Sequence, residues 1–267
     1  MTIVPIIKRD YIANLAAQGK RIDGRNFDHY RKIEIETKVV NKAEGSARVK
    51  IGNTQVLVGI KMGLGEPFPD TPNMGVLSTA AELVPLASPD FESGPPREDA
   101  IELARVVDRG VRESKVVDVE KLVVTPGELV WLVFIDIHVL DYDGNLFDAA
   151  SLGALAALST TIVPAKRFGE QLPEGHQKED FPLPMSEPPI SCTAVKINDF
   201  VLFDPCFDEE VIADARLTVA TDHNGDIRAM QKGLSGSFSK DEIQKVIKGA
   251  LDNGKEIRKK LKEVTSS

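Results

Sequence analysis

Two cysteines, Cys192 and Cys206, are all that 267 residues provide; they form no CxxC pair, and no histidine stands at zinc-ligand spacing from either. Both thiols are expected to be packed rather than to bridge or to hold a metal. Long apolar runs are missing as well, since no stretch reaches the roughly 20 residues of a membrane-spanning helix. The N-terminal MetThrIleValProIleIleLysArgAsp carries neither the charged n-region nor the cleavage pattern of a secretory signal. A soluble cytoplasmic protein without a membrane partner is expected. Positive charge is in deficit: 33 Lys and Arg against 41 Asp and Glu leave a net charge of −8. That balance excludes a protein that coats nucleic acid over its whole surface, though not one with a local basic groove. Histidine is scarce too. His29, His138, His176 and His223 are scattered, and no Ser, Cys or Asp around them forms a nucleophile motif. No catalytic residue, metal site or cofactor is therefore expected. What the chain does have is 42% hydrophobic residues, enough for one large domain or two modest ones with a real core.

The stretch Leu129–Leu158 organises the rest. Its first half, LeuValTrpLeuValPheIleAspIleHisValLeu, is nearly continuous, β-branched and aromatic, and predicts a strand in the middle of a sheet, buried on both faces. Asp141, Asp143, Gly144 and Asn145 then supply a tight turn, and Asp148 opens an Ala-rich segment that reads as a helix capped by an acid. A strand that turns through Gly into a helix N-terminus is a common phosphate cradle. Here Asp141, Asp143 and Asp148 crowd that spot, with no Arg or Lys beside them in the sequence. Each carboxylate within about 4 Å would repel a phosphate by roughly 1 kcal/mol even in water. A self-capped helix start is the preferred reading over a cradle.

Tyr11, Ile12 and Leu15 fall at helical spacing before Gly19, a leading helix with a glycine stop. Arg21 and Arg25 flank a turn-prone AspGly, a weak signal that most often marks a solvated loop. Ile33 and Ile35 begin a meander that continues in two strands joined at GlyAsnThr within 43–61, and 74–84 adds another strand. After ProProArgGluAsp comes a long amphipathic helix with Ile101, Leu103, Ala104, Val107 and Val111 inward. Its polar side carries Arg105, Arg109 and Arg112, which the helical spacing places along one stripe roughly 10 Å long. Glu98, Glu102, Asp108 and Glu113 could simply pair with them on a solvated face. Five prolines after Lys166 mark a connector, beyond which strands near Val195, Leu202, Leu217 and Ala229 restart a sheet. Ser239 and Glu242 form a capping box opening a closing helix with Ile243, Val246, Ala250, Ile257 and Leu261 at helical spacing. The predicted plan is α+β. It divides into an N-terminal extension (1–28), a first half (29–165), a Pro-rich connector (166–189) and a second half (190–267).

Several long motifs in order resemble the ribonuclease PH family of phosphate-dependent exoribonucleases: ArgIleAspGlyArg, AlaGluGlySerAlaArgValLysIleGlyAsnThrGlnValLeuValGlyIle, GluLeuAlaArgValValAspArgGlyValArgGluSer, AspTyrAspGlyAsnLeuPheAspAlaAla and LeuPheAspProCysPheAspGluGluVal. The resemblance runs from Arg21 to about Leu261 and implies a ribonuclease PH-like fold of two sheet-plus-helix halves. Within the family the chain looks most like the non-catalytic subunits of the archaeal exosome core. Active members carry AspGlyGly, a Thr or Ser, and an Arg at the turn; here the stretch reads AspGlyAsnLeuPheAsp. Active members also carry a GluAlaAspMet acid where AspAlaArgLeu now places Arg216.

The resemblance implies a non-catalytic component of a 3′-to-5′ RNA-degrading ring. Three such subunits would alternate with three catalytic ribonuclease PH-like subunits beneath S1/KH-type RNA-binding caps, shaping the partner's active site and helping to hold single-stranded RNA. Arg105, Arg109 and Arg112 become candidate RNA contacts, with Arg97 in the preceding loop a weaker one. The competing reading is an active phosphate-dependent exoribonuclease in its own right, with Asp204, Asp208, Glu209, Glu210 and Asp214 as a magnesium cluster. The preferred reading of those acids is a solvated turn and strand edge. A binding protein of similar α+β plan, acting outside any ring, is the third.

Overall fold

The computed structural model describes residues 3–265. Helix α1 (Ile3–Ala17) ends at Gly19, whose φ of +71° lets the Gly19 and Lys20 amides turn back onto the Ala16 and Leu15 carbonyls. This is the predicted glycine stop. Strands β1 (Ile33–Thr37), β2 (Gly45–Ile51) and β3 (Thr54–Gly65) follow as an antiparallel meander, with Gly52 at the β2–β3 turn. Next come β4 (Val76–Leu83), helix α2 (Glu98–Glu113), the short β5 (Val123–Thr125) and β6 (Leu129–Asp141). The first sheet has the order β1-β2-β3-β6-β4, with β5 on the end of β6.

The organising strand β6 lies inside this sheet, antiparallel to β3 and parallel to β4. It is not buried on both faces, contrary to expectation. Val133, Ile135, Ile137 and Val139 are sealed under helices, whereas Phe134 on the opposite face is 39% exposed. Helices α2 and α3 (Leu146–Ser159) cover one side of the sheet only. Leu132, Phe134 and Leu140 make the open face apolar too, which hides the alternation of a half-buried strand from a sequence reading.

Helix α3 is buried from Leu146 to Leu158. A helix apolar all round belongs inside a core, and its small residues set how close its neighbours come: a Cβ on Gly153 would lie 2.8 Å from Val58. On its far side stands the second sheet, order β10-β9-β11-β12, made from β9 (Ile190–Ile197), β10 (Phe200–Phe203), β11 (Ala215–Thr221) and β12 (Ile227–Gly233). A six-residue helix α4 (Phe207–Ile212) joins β10 to β11, and α5 (Lys240–Thr265) closes the chain. The predicted capping box holds α5, with Ser239 N donating to Glu242 at 2.6 Å and Glu242 N to Ser239 Oγ at 3.3 Å. One apolar cluster takes Val58 and Ile135 from the first half together with Cys192, Val219 and Val246 from the second. The two halves therefore share a core, and the architecture is the α+β layering the sequence predicts.

The Pro-rich connector carries more structure than its composition suggests. Strands β7 (Ile162–Val163) and β8 (Phe181–Pro182) pair, and Asp118 N donates to Pro184 O while Ser186 N donates to Val116 O. Backbone pairing of two or three residues leaves no side-chain period to read. Both cysteines are buried and free. No helix among the described residues is long and apolar enough to cross a membrane.

Candidate functional site

At the turn between β6 and α3, Gly144 has φ +85° and Asn145 φ +57°. A Cβ on Gly144 would lie 2.5 Å from the Pro205 carbonyl oxygen, so only glycine lets the 205–207 backbone of the second half close over the turn. The Asn145 side chain caps nothing. Its backbone N–H, aimed out of the helix start, donates to Glu210 Oε2 at 2.8 Å. Glu210 comes from α4, with Arg216 Nη1 4.0 Å from its other oxygen. Burial pushes the Glu210 carboxyl up, against the opposing pull of the Asn145 N–H and Arg216. The chain's own Glu210 carboxyl group thus takes the N-cap amide at the start of α3, beside the place where a helix N-terminus receives an anion.

Two expectations about this turn need correction. Asp148 does not cap α3: its carboxylate accepts from Thr193 N, Thr193 Oγ1, Tyr30 Oη and Asn145 Nδ2 at 2.7–2.9 Å. It ties the central helix to the second sheet, and burial pushes it up to about 6 despite those donors. A cation does accompany the turn, because Arg31 donates to the Asp143 and Gly144 carbonyls at 2.5 and 3.2 Å. It arrives from 112 residues away, and it is committed to those carbonyls and to Asp204.

The acid cluster is not the solvated edge it was expected to be. Asp204 and Glu209 are wholly buried. Arg21 forks onto Glu209 at 2.9 and 2.5 Å, so the supposed solvated loop sends one arginine into the interior. Arg25 and Arg31 both hold Asp204, at 2.8 Å each. Burial alone would raise the Asp204 carboxyl, but the Arg31 guanidinium outweighs it and holds the group below the usual carboxylate range. Lys8 takes Asp208 and Arg9 takes Asp214. Every carboxylate once considered for magnesium has an intrachain cation against it.

Helix α2 begins after Arg97, with Glu98 and Asp99 in its first turn, where acids suit the dipole. Leu103, Val107 and Val111 face the core and leave the arginines outward. They do not form a single stripe. Arg105 and Arg109 line a cavity of about 310 Å³ with Glu98, Ile101, Glu102, Val106 and Gln231 of β12. Arg109 Nη1 donates to Gln231 Oε1 at 2.8 Å, and among the described residues Arg105 has no ion pair. Arg112 instead bends toward β4, donating to the Leu77 carbonyl at 3.0 Å and pairing with Asp108 at 2.9 Å. It borders a separate, mainly apolar cavity of about 680 Å³ beside Phe68, Met74 and Lys115. Arg97 is paired with Glu92 at 2.5 Å, away from the others. The groove can offer two guanidinium forks to a phosphate backbone and shows no arrangement for reading bases.

The sequence matches the 3′ exoribonuclease family, domain 1, over residues 29–164, and its domain 2 over residues 187–253. The chain belongs to the 3′ exoribonuclease family, the ribonuclease PH family. Family relatives include the exosome complex component Rrp42 of Methanocella arvoryzae, 56% identical over 262 residues that cover 98% of each chain. The component of the same name from Thermococcus gammatolerans is 55% identical, covering 98% of this chain and 96% of that one. Among solved structures, the Archaeoglobus fulgidus exosome with RNA bound to the active site contains a chain that superposes with a TM-score of 0.91 at 49% identity, covering 97% and 99% of the two. In this ribonuclease PH-family chain, sequence reasoning missed Glu210 as the occupant of the helix start and Gln231 as the partner of Arg109. Glu210 stands 65 residues from Asn145. No local motif signals such a pairing.

Proposed function

We propose that this chain is a non-catalytic wall subunit of an RNA-degrading ring of the exosome type, and that it grips single-stranded RNA through Arg105 and Arg109. Three copies would alternate with three catalytic ribonuclease PH-like subunits in the cytoplasm, beneath S1/KH-type caps, and each would complete a partner's active site. The names of the full-length relatives and the RNA in the solved relative support the ring and its substrate. The observation that carries the non-catalytic role is the Glu210 oxygen 2.8 Å from Asn145 N, in the place an attacking phosphate would need. Arg216 on β11, where the resemblance expects an acid, agrees with it. The same reading keeps the division into halves at 29–165 and 190–267, joined by the 166–189 connector. It leaves Arg112 and Arg97, already paired, as secondary RNA contacts.

Phosphate contacts made by forked donors hold any sequence, which suits a degradative path. In the ring assembled with the catalytic subunit, Arg105→Ala together with Arg109→Ala is expected to weaken oligoadenylate binding and to flatten its salt slope by roughly 0.7 per lost contact. Fluorescence anisotropy at several salt concentrations measures both. Parental affinity with a parental slope would remove these two arginines from the RNA path.

A further inference from the structure

The acids of α2 are disposed unevenly around its arginines. Glu102 stands three residues before Arg105 and lines the same cavity, which makes it the natural helical partner of that arginine. It pairs elsewhere. Glu102 Oε1 lies 2.5 Å from Nη2 of Arg216, which reaches across from β11. The Arg216 side chain is only 8% exposed and its guanidinium carbon sits 3.9 Å above the Phe147 ring. Its place is prepared on the next strand as well. Gly233 faces Arg216 in register, and a Cβ there would come within 2.5 Å of Arg216 Nη2. Asp108 is likewise drawn off, by Arg112 at 2.9 Å and the Thr79 hydroxyl at 3.2 Å. Of the acids lining the cavity only Glu98 remains, two helical turns from Arg105 and without an ion pair among the described residues. Among the described residues, Arg105 and Arg109 are left with no carboxylate against them.

We infer that Arg216 is a positioning residue for the RNA groove: it holds Glu102 against the second sheet and so keeps that carboxylate off Arg105 and Arg109, leaving their charge for phosphate. The inference rests on the assignment of those two arginines to RNA. A surface carboxylate one turn below Arg105 would otherwise compete with the phosphate for the guanidinium and repel it directly. The arginine on β11 thus converts a self-neutralised helix face into an open cationic one.

The test is a double-mutant cycle on the full chain assembled with its catalytic partner, read by anisotropy with labelled oligoadenylate. Arg216→Met frees Glu102 and is expected to weaken binding roughly five-fold, the effect of about one added like-charge contact near the surface. Adding Glu102→Gln restores the affinity, and Arg216→Lys, which keeps the ion pair, binds as the parent does. Loss without rescue by Glu102→Gln would reduce Arg216 to a structural residue and overturn the inference. Should Arg216→Met fail to assemble, Glu102→Gln alone decides: binding within about two-fold of the parent supports a carboxylate already held away, and tightening of about five-fold contradicts it. If Arg105→Ala with Arg109→Ala costs no affinity, the RNA assignment itself is wrong. If that pair does cost affinity but the cycle shows no coupling, only the role of Arg216 falls.

Discussion

Purified alone and incubated with single-stranded RNA and orthophosphate, this chain is expected to release no nucleoside diphosphate. Phosphorolysis requires the inorganic anion to be held in line with the terminal phosphodiester, and positioning with charge stabilisation supplies most of the acceleration in phosphoryl transfer. At the start of α3 the N-cap amide of Asn145 already donates to Glu210. Arg31, the nearest cation to the turn carbonyls, is consumed by those carbonyls and by Asp204. If the seat is closed in this way, any release should be slower by roughly 10²–10³-fold than that of a catalytic relative, the scale of removing a preorganised charge-stabilising donor. Adding the catalytic subunit should restore decay. Chromatographic detection of ADP from oligoadenylate measures both arms, and vigorous release by the lone chain would contradict the non-catalytic assignment.

Replacing Asp204 with Ala is expected to produce a large loss of stability. Its carboxylate accepts from Arg31 N, Nε and Nη2, from Arg25 Nη1 and from Asn145 Nδ2, all at 2.8 or 2.9 Å. Removing it strands the largely buried Arg31 charge, which typically destabilises by about 3–5 kcal/mol. The melting temperature should fall by on the order of 10 °C. Asp118→Ala, which breaks an exposed pair with Lys121, should leave the melting temperature close to the parental one. The pH dependence has a definite sign. Asp204 titrates lower folded than unfolded, so its contribution is complete above the ordinary carboxylate value and is lost as pH falls toward the folded value. The acid limb of the stability profile should therefore be flatter in Asp204→Ala than in the parent. Parental melting of that variant would show that the cluster does not join the halves.

What could be read from the sequence were the features written within a few residues of each other. The Gly19 stop, the GlyAsnThr turn and the Ser239–Glu242 box rest on local hydrogen bonds, and each forms as predicted. The arginine-bearing face of α2 follows from helical spacing alone. Its split into Arg105 with Arg109 on one side and Arg112 on the other does not, because Gln231 and the Leu77 carbonyl decide it from distant strands. The acids around the turn were legible as an obstacle to phosphate, though the wrong ones carried the weight. Asp148 points into the second sheet, and the carboxyl that fills the helix start belongs to Glu210. Burial of Arg21 and Asp204 was hidden for the same reason: a charged residue reads as solvated until its partner, here 188 or 173 residues away, is brought against it.

The most direct measurement is a crystal structure of the isolated chain grown in orthophosphate at neutral pH. Glu210 Oε2 should remain within hydrogen-bond distance of Asn145 N, with no phosphate at the start of α3. An ordered phosphate accepting the Asn145 N–H, with the Glu210 side chain swung aside, would show that the seat is open and that the chain can hold the attacking anion itself.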